Sequence, residues 1–141
     1  MQRKGSAVWK KGLKDGSGTV STESGVLNNA QYSFATRFES GKGTNPEELL
    51  GAAHAGCFSM ALSAQLSGAG ISPDEIRTTA TVKLEKQPDG FAITNVHLDV
   101  EAKVPGITAE KFDDLALKAK AGCPVSKLFK GAEITMNAKL A

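Results

Sequence analysis

The sequence predicts an α+β protein with strands at both ends and one long, apolar central helix. Three observations carry this expectation. Residues Leu49–Leu66 run for 18 residues without a formal charge, behind a well-marked helix start. Both ends of the chain alternate apolar and polar residues in the manner of strands. Between them lie a hairpin signal at Pro88-Asp89-Gly90 and a second, amphipathic helical stretch.

In chain order, Ala7-Val8-Trp9 reads as a short strand and Gly16-Ser17-Gly18 as a turn. Thr19–Thr22 favours β structure, and Tyr32–Phe38 (YSFATRF) alternates aromatic and polar residues as a strand would. Gly41-Lys42-Gly43 ends it. Asn45 is then a good helix N-cap, and Pro46 suits the first helical position because its missing N–H is not needed there. Glu48 completes a capping-box pattern, and with Glu47 it complements the helix dipole. The helix is expected from Pro46 to about Ser67, stopping at Gly68-Ala69-Gly70.

Thr78–Lys86 places Ala80, Val82 and Leu84 on one face of a strand. Its partner, Phe91–Val104, changes apolar parity between Ile93 and Val96, which predicts a bulge near Thr94-Asn95. A second helix is expected over Thr108–Ala121, with Phe112, Leu115, Ala116 and Ala119 at helical spacing, ended by Gly122. Cys123-Pro124 can open a further short helix, and Ala132–Leu140 reads as a last strand. A length of 141 residues points to one domain spanning 1–141, large enough to fold without a disulfide or metal staple.

Composition excludes several classes. The formal net charge is +2, and 14 of the 17 basic residues are scattered lysines, so no basic patch for nucleic acid is present. The uncharged helix reaches the length of a membrane span. It is diluted by His54, Ser59, Ser63 and Gln65 and lacks interfacial anchors, so it reads as buried in protein. The start, MQRKGSAVWKKG, has no apolar core of a signal peptide, which points to the cytoplasm.

Two cysteines are the chemical landmarks. Cys57 lies mid-helix, where apolar surroundings keep a thiol inert unless a positive charge holds its thiolate. Cys123 precedes Pro124 at an N-cap-like position whose following N–H groups favour ionisation. The two lie 66 residues apart, too far for spacing to decide whether they meet. If they do, they form a nucleophile and a resolving thiol. His54, three residues before Cys57, allows a Cys-His nucleophile or a His filling a core interface. With His97 it could join a zinc site, but no CxxC or HxxxH spacing supports metal, and no cofactor motif is found.

Arg37 is the candidate positive charge, oriented by Glu47 or Glu48, or else simply paired with Glu39 on the surface. Glu47 and Cys57 are ten residues apart, so a straight helix separates them by about 15 Å along its axis. Either the helix bends near Gly51 or a second subunit completes the site. An uncharged Ala/Gly-rich helix in so small a chain also suits a homodimer core.

Over almost the whole chain, STESGVLNNAQYSFATRFE, GTNPEELLGAAHAGCFSMALS, DGFAITNV, VPGIT and KAKAGCPVSK closely resemble the osmotically inducible protein C (OsmC) family of peroxide reductases. The resemblance implies cytoplasmic, intertwined homodimers with sites at the subunit interface. It implies thiol-dependent reduction of organic hydroperoxides, with Cys57 as peroxidatic and Cys123 as resolving cysteine. Glu47 would orient the arginine, and Arg37 takes the arginine's role because it sits in the matching TRFE segment. The expected reductant is a dithiol such as a lipoylated protein, with no cofactor, nucleic acid or membrane involved. Phe58, Met60 and Leu50 are expected to favour fatty or aromatic hydroperoxides. A non-catalytic redox switch, a ligand-binding module and a Cys-His hydrolase remain open.

Overall fold

A computed structural model describes all residues, 1–141. The chain forms two compact units, Met1–Leu49 and Leu50–Ala141. In the first, strands β1 (Gly5–Lys10), β2 (Ser17–Thr22) and β3 (Ala30–Ser33) form an antiparallel sheet in that order. Helix α1 (Phe34–Phe38) follows, and α2 (Pro46–Gly68) begins at the end of this unit.

Two expectations fail in this unit. Ser17 and Gly18 belong to strand β2, not to a turn. Gly18 pairs with both Trp9 and Tyr32, whose rings lie 5.2 Å apart. A Cβ at Gly18 would come within 2.5 Å of the Tyr32 ring and 2.8 Å of Trp9, so only glycine fits there. The Tyr32–Phe38 alternation is the second. Only Tyr32 and Ser33 are strand, because Ser33 caps a helical turn. Its hydroxyl accepts from the Thr36 N–H at 3.3 Å, and the Thr36 hydroxyl accepts from the Ser33 N–H at 2.8 Å. This reciprocal cap outweighs the alternation.

Helix α2 begins as predicted. The Asn45 side chain accepts from the Glu48 N–H at 2.8 Å. The box is only half closed, since the Glu48 carboxylate accepts from the Thr44 hydroxyl instead of from Asn45. At the far end Gly70 takes φ +75°, the Gly70 N–H bonds Ser67, and the Ile71 N–H bonds Leu66 at 3.0 Å. This is a Schellman ending. Ile71 also packs against the core that contains Leu66.

The second unit holds a three-stranded sheet of β4 (Glu75–Gln87), β5 (Gly90–Lys103) and β6 (Glu133–Leu140), with β5 in the middle. β4 and β5 form the predicted hairpin. Lys83 pairs with Asn95 and Leu84 with Ile93, leaving Thr94 as the extra residue of the predicted bulge. β6 runs parallel to β5, so the chain must cross over, and helices α3 (Ala109–Gly122) and α4 (Pro124–Leu128) make that connection. Gly51 lets α2 lie against β4: a Cβ there would stand 3.0 Å from the Ala80 carbonyl oxygen.

By length and composition α2 could cross a membrane. Instead its Gly51, His54, Phe58, Leu62 and Leu66 face is buried, and the last three join the core formed by Leu98, Val100, Phe112, Leu115 and Cys123. Leu98, on the central strand, is fully buried. Leu98→Ala is expected to cost about 2–5 kcal/mol of stability, read as a lowered urea midpoint at unchanged m-value.

Candidate active site

Cys57 and Cys123 meet in the second unit. Both are free thiols, with sulfurs 2.8 Å apart. That is within hydrogen-bonding reach and beyond the ~2.05 Å of a disulfide. Cys57 comes from the middle of α2 and is half-buried, whereas Cys123 is fully buried. Cys123 ends α3 and starts α4. Its N–H bonds the Ala119 carbonyl at 2.8 Å, and its carbonyl accepts from the Lys127 N–H at 3.0 Å. The backbone is therefore anchored on both sides of the thiol.

The two thiols differ in acidity. Burial opposes ionisation of Cys123, but its contact with Cys57, the Ser126 N–H and hydroxyl, and the Val125 N–H together hold it below the usual thiol range. No tight side-chain cap bond closes there; these donors act on the charge. Burial pushes Cys57 up, and proton sharing with Cys123 adds to this. Cys57 thus needs a cation to become the thiolate of the pair, as the sequence argument requires.

His54 is fully buried, and its Nε2 lies 2.8 Å from the Ser126 Oγ. Its Nδ1 has no partner, and its ring meets Phe129 edge-on with centroids 5.2 Å apart. The ring is therefore engaged with Ser126 and not with Cys57, which removes the support for a Cys-His nucleophile. Burial lowers the His54 pKa. The unfolded chain therefore takes up this proton first as pH falls. The associated stability is present above about 6.5 and is lost as pH drops below it. Urea midpoints measured between neutral and mildly acid pH should fall more steeply for the parent than for His54→Leu.

In the first unit Arg37 is gripped by Glu47. Its Nη2 lies 2.8 Å and its Nε 3.1 Å from Glu47 Oε1, with Nε 3.3 Å from Oε2. Arg37 pairs with Glu47, not Glu39, and Glu48 is occupied by Thr44 and Asn45. The α1 turn supplies this geometry, aiming the guanidinium back toward the first turn of α2. Arg37 also stands 5.4 Å from the Phe38 ring centroid. Its side chain is 38% exposed, so the pair adds at most about 1 kcal/mol to stability. Its use is to fix a cation.

Beside Arg37 lies a cleft of about 280 Å³ lined by Trp9, Leu13, Tyr32, Phe34 and Phe38. Sequence reasoning missed it; the signal was the density of aromatics in YSFATRF, obscured by reading that segment as a strand. The residues expected to line an apolar pocket do not do so together. Phe58 is in the core, Met60 is 77% exposed, and Leu50 borders a separate cleft with Val82, Ile93 and Phe129. No three His, Cys, Asp or Glu residues are grouped to hold a metal ion. His97 is on the sheet face with Thr135, Asn137 and Asp99.

Fold and site together define a two-cysteine α+β protein. The chain belongs to the OsmC family: the family model described as OsmC-like protein matches residues 39–139. It is 59% identical over 140 residues to Peroxiredoxin OsmC of Escherichia coli (strain K12), covering 99% of this chain and 97% of that protein. It is 33% identical over 92 residues to an organic hydroperoxide resistance protein of Xanthomonas axonopodis pv. citri (strain 306), covering 64% and 63%. Its fold matches the crystal structure of an OsmC like protein from Mycoplasma pneumoniae with a TM-score of 0.78, at 18% identity over 100% of this chain and 98% of that one. An organic hydroperoxide resistance protein from Elizabethkingia anophelis matches with a TM-score of 0.71 at 28% identity, over 100% and 99%.

Proposed function

We propose that the protein is a thiol-dependent peroxidase that reduces organic hydroperoxides to alcohols, in defence against oxidative and osmotic stress. The observation that carries this is the pair of free thiols 2.8 Å apart, one half-exposed and one buried. The exposed member, Cys57, is the sulfur a peroxide can reach, and buried Cys123 is placed to resolve it. The names of its relatives, peroxiredoxin and organic hydroperoxide resistance protein, support the same activity.

Arg37, held by Glu47, draws negative charge onto Cys57. The thiolate attacks the terminal peroxide oxygen, the O–O bond breaks, and the departing alkoxide develops charge beside the guanidinium. The alkoxide takes a proton and leaves as the alcohol. Cys57 is left as a sulfenic acid. Cys123 then displaces hydroxide from Cys57, and with the proton lost by Cys123 that hydroxide becomes water. The resulting disulfide is reduced by an external dithiol, such as a lipoylated protein, in the cytoplasm.

The working unit is a homodimer in which one subunit's Arg37 and Glu47 serve the other's Cys57. Two facts support this. Glu47 and Cys57 stand ten residues apart on one unbroken helix, about 15 Å along its axis. Helix α2 also exposes an apolar stripe through Ala53, Gly56, Met60 and Ala64. A monomer by light scattering at working concentration would overturn the dimer.

The aromatic cleft beside Arg37 takes the organic group. Phe34→Ala is expected to lower kcat/KM about tenfold for cumene hydroperoxide while barely changing it for hydrogen peroxide. The deciding experiment follows peroxide loss over many turnovers with a dithiol. Cys123→Ser should oxidise once and then over-oxidise, losing sustained turnover. Oxidation of the parent that stops at one equivalent would instead indicate a redox switch.

A further inference from the structure

Helix α2 carries a second buried group on the thiol side of the core, His54, to which the two-cysteine chemistry assigns no role. It is fully buried and bonds one polar group, the Ser126 hydroxyl 2.8 Å from its Nε2. Ser126 lies in the α4 turn that Cys123 opens, three residues after it, and its N–H and hydroxyl are among the groups that favour the Cys123 thiolate. Cys123 in turn lies 2.8 Å from Cys57. His54, Ser126, Cys123 and Cys57 thus stand in sequence around the start of α4, although the chain separates His54 from Ser126 by 72 residues.

The orphaned atom gives this line a direction. His54 Nδ1 is buried without a partner. An unpartnered buried N–H costs more than an unpartnered lone pair, so the imidazole proton sits on Nε2. Nε2–H then donates to Ser126 Oγ, which leaves the hydroxyl proton free to point away from the ring. The Cys123 sulfur, at the start of the same turn, is the group whose ionisation that hydroxyl favours. The opposite tautomer would consume the hydroxyl proton on Nε2 and turn an oxygen lone pair toward the sulfur.

We propose that His54 is a positioning residue for the resolving step: its Nε2–H orients the Ser126 hydroxyl, which donates to the Cys123 thiolate as that thiolate attacks oxidised Cys57. This rests on the two-cysteine reading above. In the step, the Cys123–Cys57 S–S bond forms and the Cys57 S–O bond breaks. Hydroxide departs and combines with the proton given up by Cys123 to make water. Cys57 is reduced from sulfenic acid to disulfide sulfur, and Cys123 is oxidised from thiolate to disulfide sulfur. The hydroxyl neither gains nor loses its proton. It stabilises the charge on Cys123 before the attack.

The titratable groups at this cluster, Cys57 and His54, both come from α2. The α3–α4 junction contributes backbone N–H groups and the Ser126 hydroxyl. The nearest lysines in sequence, Lys120 and Lys127, are not among the groups that shift Cys123.

Three readouts test the proposal. In the Cys57→Ser chain, Cys123 is titrated by its ultraviolet thiolate absorbance. Ser126→Ala and His54→Leu should each raise the midpoint by about one pH unit, and Ser126→Thr, which keeps the hydroxyl, should restore it. With both cysteines present, His54→Leu should slow disulfide formation about tenfold relative to the preceding oxidation of Cys57, so sulfinic acid accumulates on Cys57. Nitrogen-15 shifts of the unmutated protein report the His54 tautomer directly, whether or not a variant folds. An Nδ1–H tautomer, or a Cys123 midpoint unmoved in both variants, overturns the proposal. If peroxide forms no disulfide in the parent, the two-cysteine reading fails by itself. The titration and the tautomer then still decide whether His54 acts on Cys123 through Ser126.

Discussion

Cys57→Ser is expected to lower hydroperoxide turnover by at least about a thousandfold, measured as peroxide loss with excess dithiol. The substitution keeps size and polarity but replaces a group that ionises near neutral pH with a hydroxyl that does not. The remaining thiol cannot take over, because Cys123 is fully buried while Cys57 reaches the surface. The Cys57 contact and the Ser126 and Val125 donors lower Cys123 while burial raises Cys57, so acidity alone would point to Cys123. In the proposed mechanism accessibility sets the order of events, and the Arg37 charge reverses the preference. Retained turnover in Cys57→Ser would assign the chemistry to Cys123 and remove the proposed mechanism.

Arg37→Ala is expected to reduce kcat/KM for organic hydroperoxides about 10²–10³-fold, because it removes the charge proposed to hold the Cys57 thiolate and to meet the departing alkoxide. Arg37→Lys should recover only part, because a single ammonium cannot keep the two-point grip on Glu47 and also face the sulfur. The same substitution tests how the dimer is used. Cys57→Ser and Arg37→Ala chains are each nearly inactive alone. If the arginine serves the partner's thiol, a mixed dimer contains one intact site and regains about half the parental activity per dimer. If the site lies within one chain, mixing restores nothing.

The ends of α2 were legible because local chemistry sets them: the Asn45 cap, Pro46 and the glycine at 70 act within a few residues. The Thr94 bulge was legible for the same reason, since a parity change in a strand must be absorbed where it occurs. The TRFE segment was misread because two local signals conflict there, and the Ser33–Thr36 cap wins over aromatic alternation. Gly18 was misread because its reason lies across the sheet, between Trp9 and Tyr32. At the site, both cysteines and Arg37 with Glu47 or Glu48 could be nominated from residue type, and the resemblance pointed to Glu47. The meeting of Cys57 with Cys123 could not, since it depends on the crossover that returns the chain to α2 through α3. The His54–Ser126 bond depends on the same crossover. The resemblance to OsmC proteins supplied what spacing could not.

In the proposed cycle, the unequal burial of the two sulfurs also governs recycling. Once the disulfide has formed, an incoming reductant can approach only the Cys57 side, because Cys123 has no exposed surface. The mixed disulfide therefore forms on Cys57, and Cys123 is the leaving group. A leaving thiol departs faster the lower its pKa; the Cys57 contact lowers Cys123 most in the reduced chain, and the Ser126 and Val125 donors, which remain when Cys57 is bonded elsewhere, lower it too. In the proposed cycle, the α4 donors that favour the Cys123 thiolate before it attacks also favour its release. The sulfur that met the peroxide is also the one handed to the reductant.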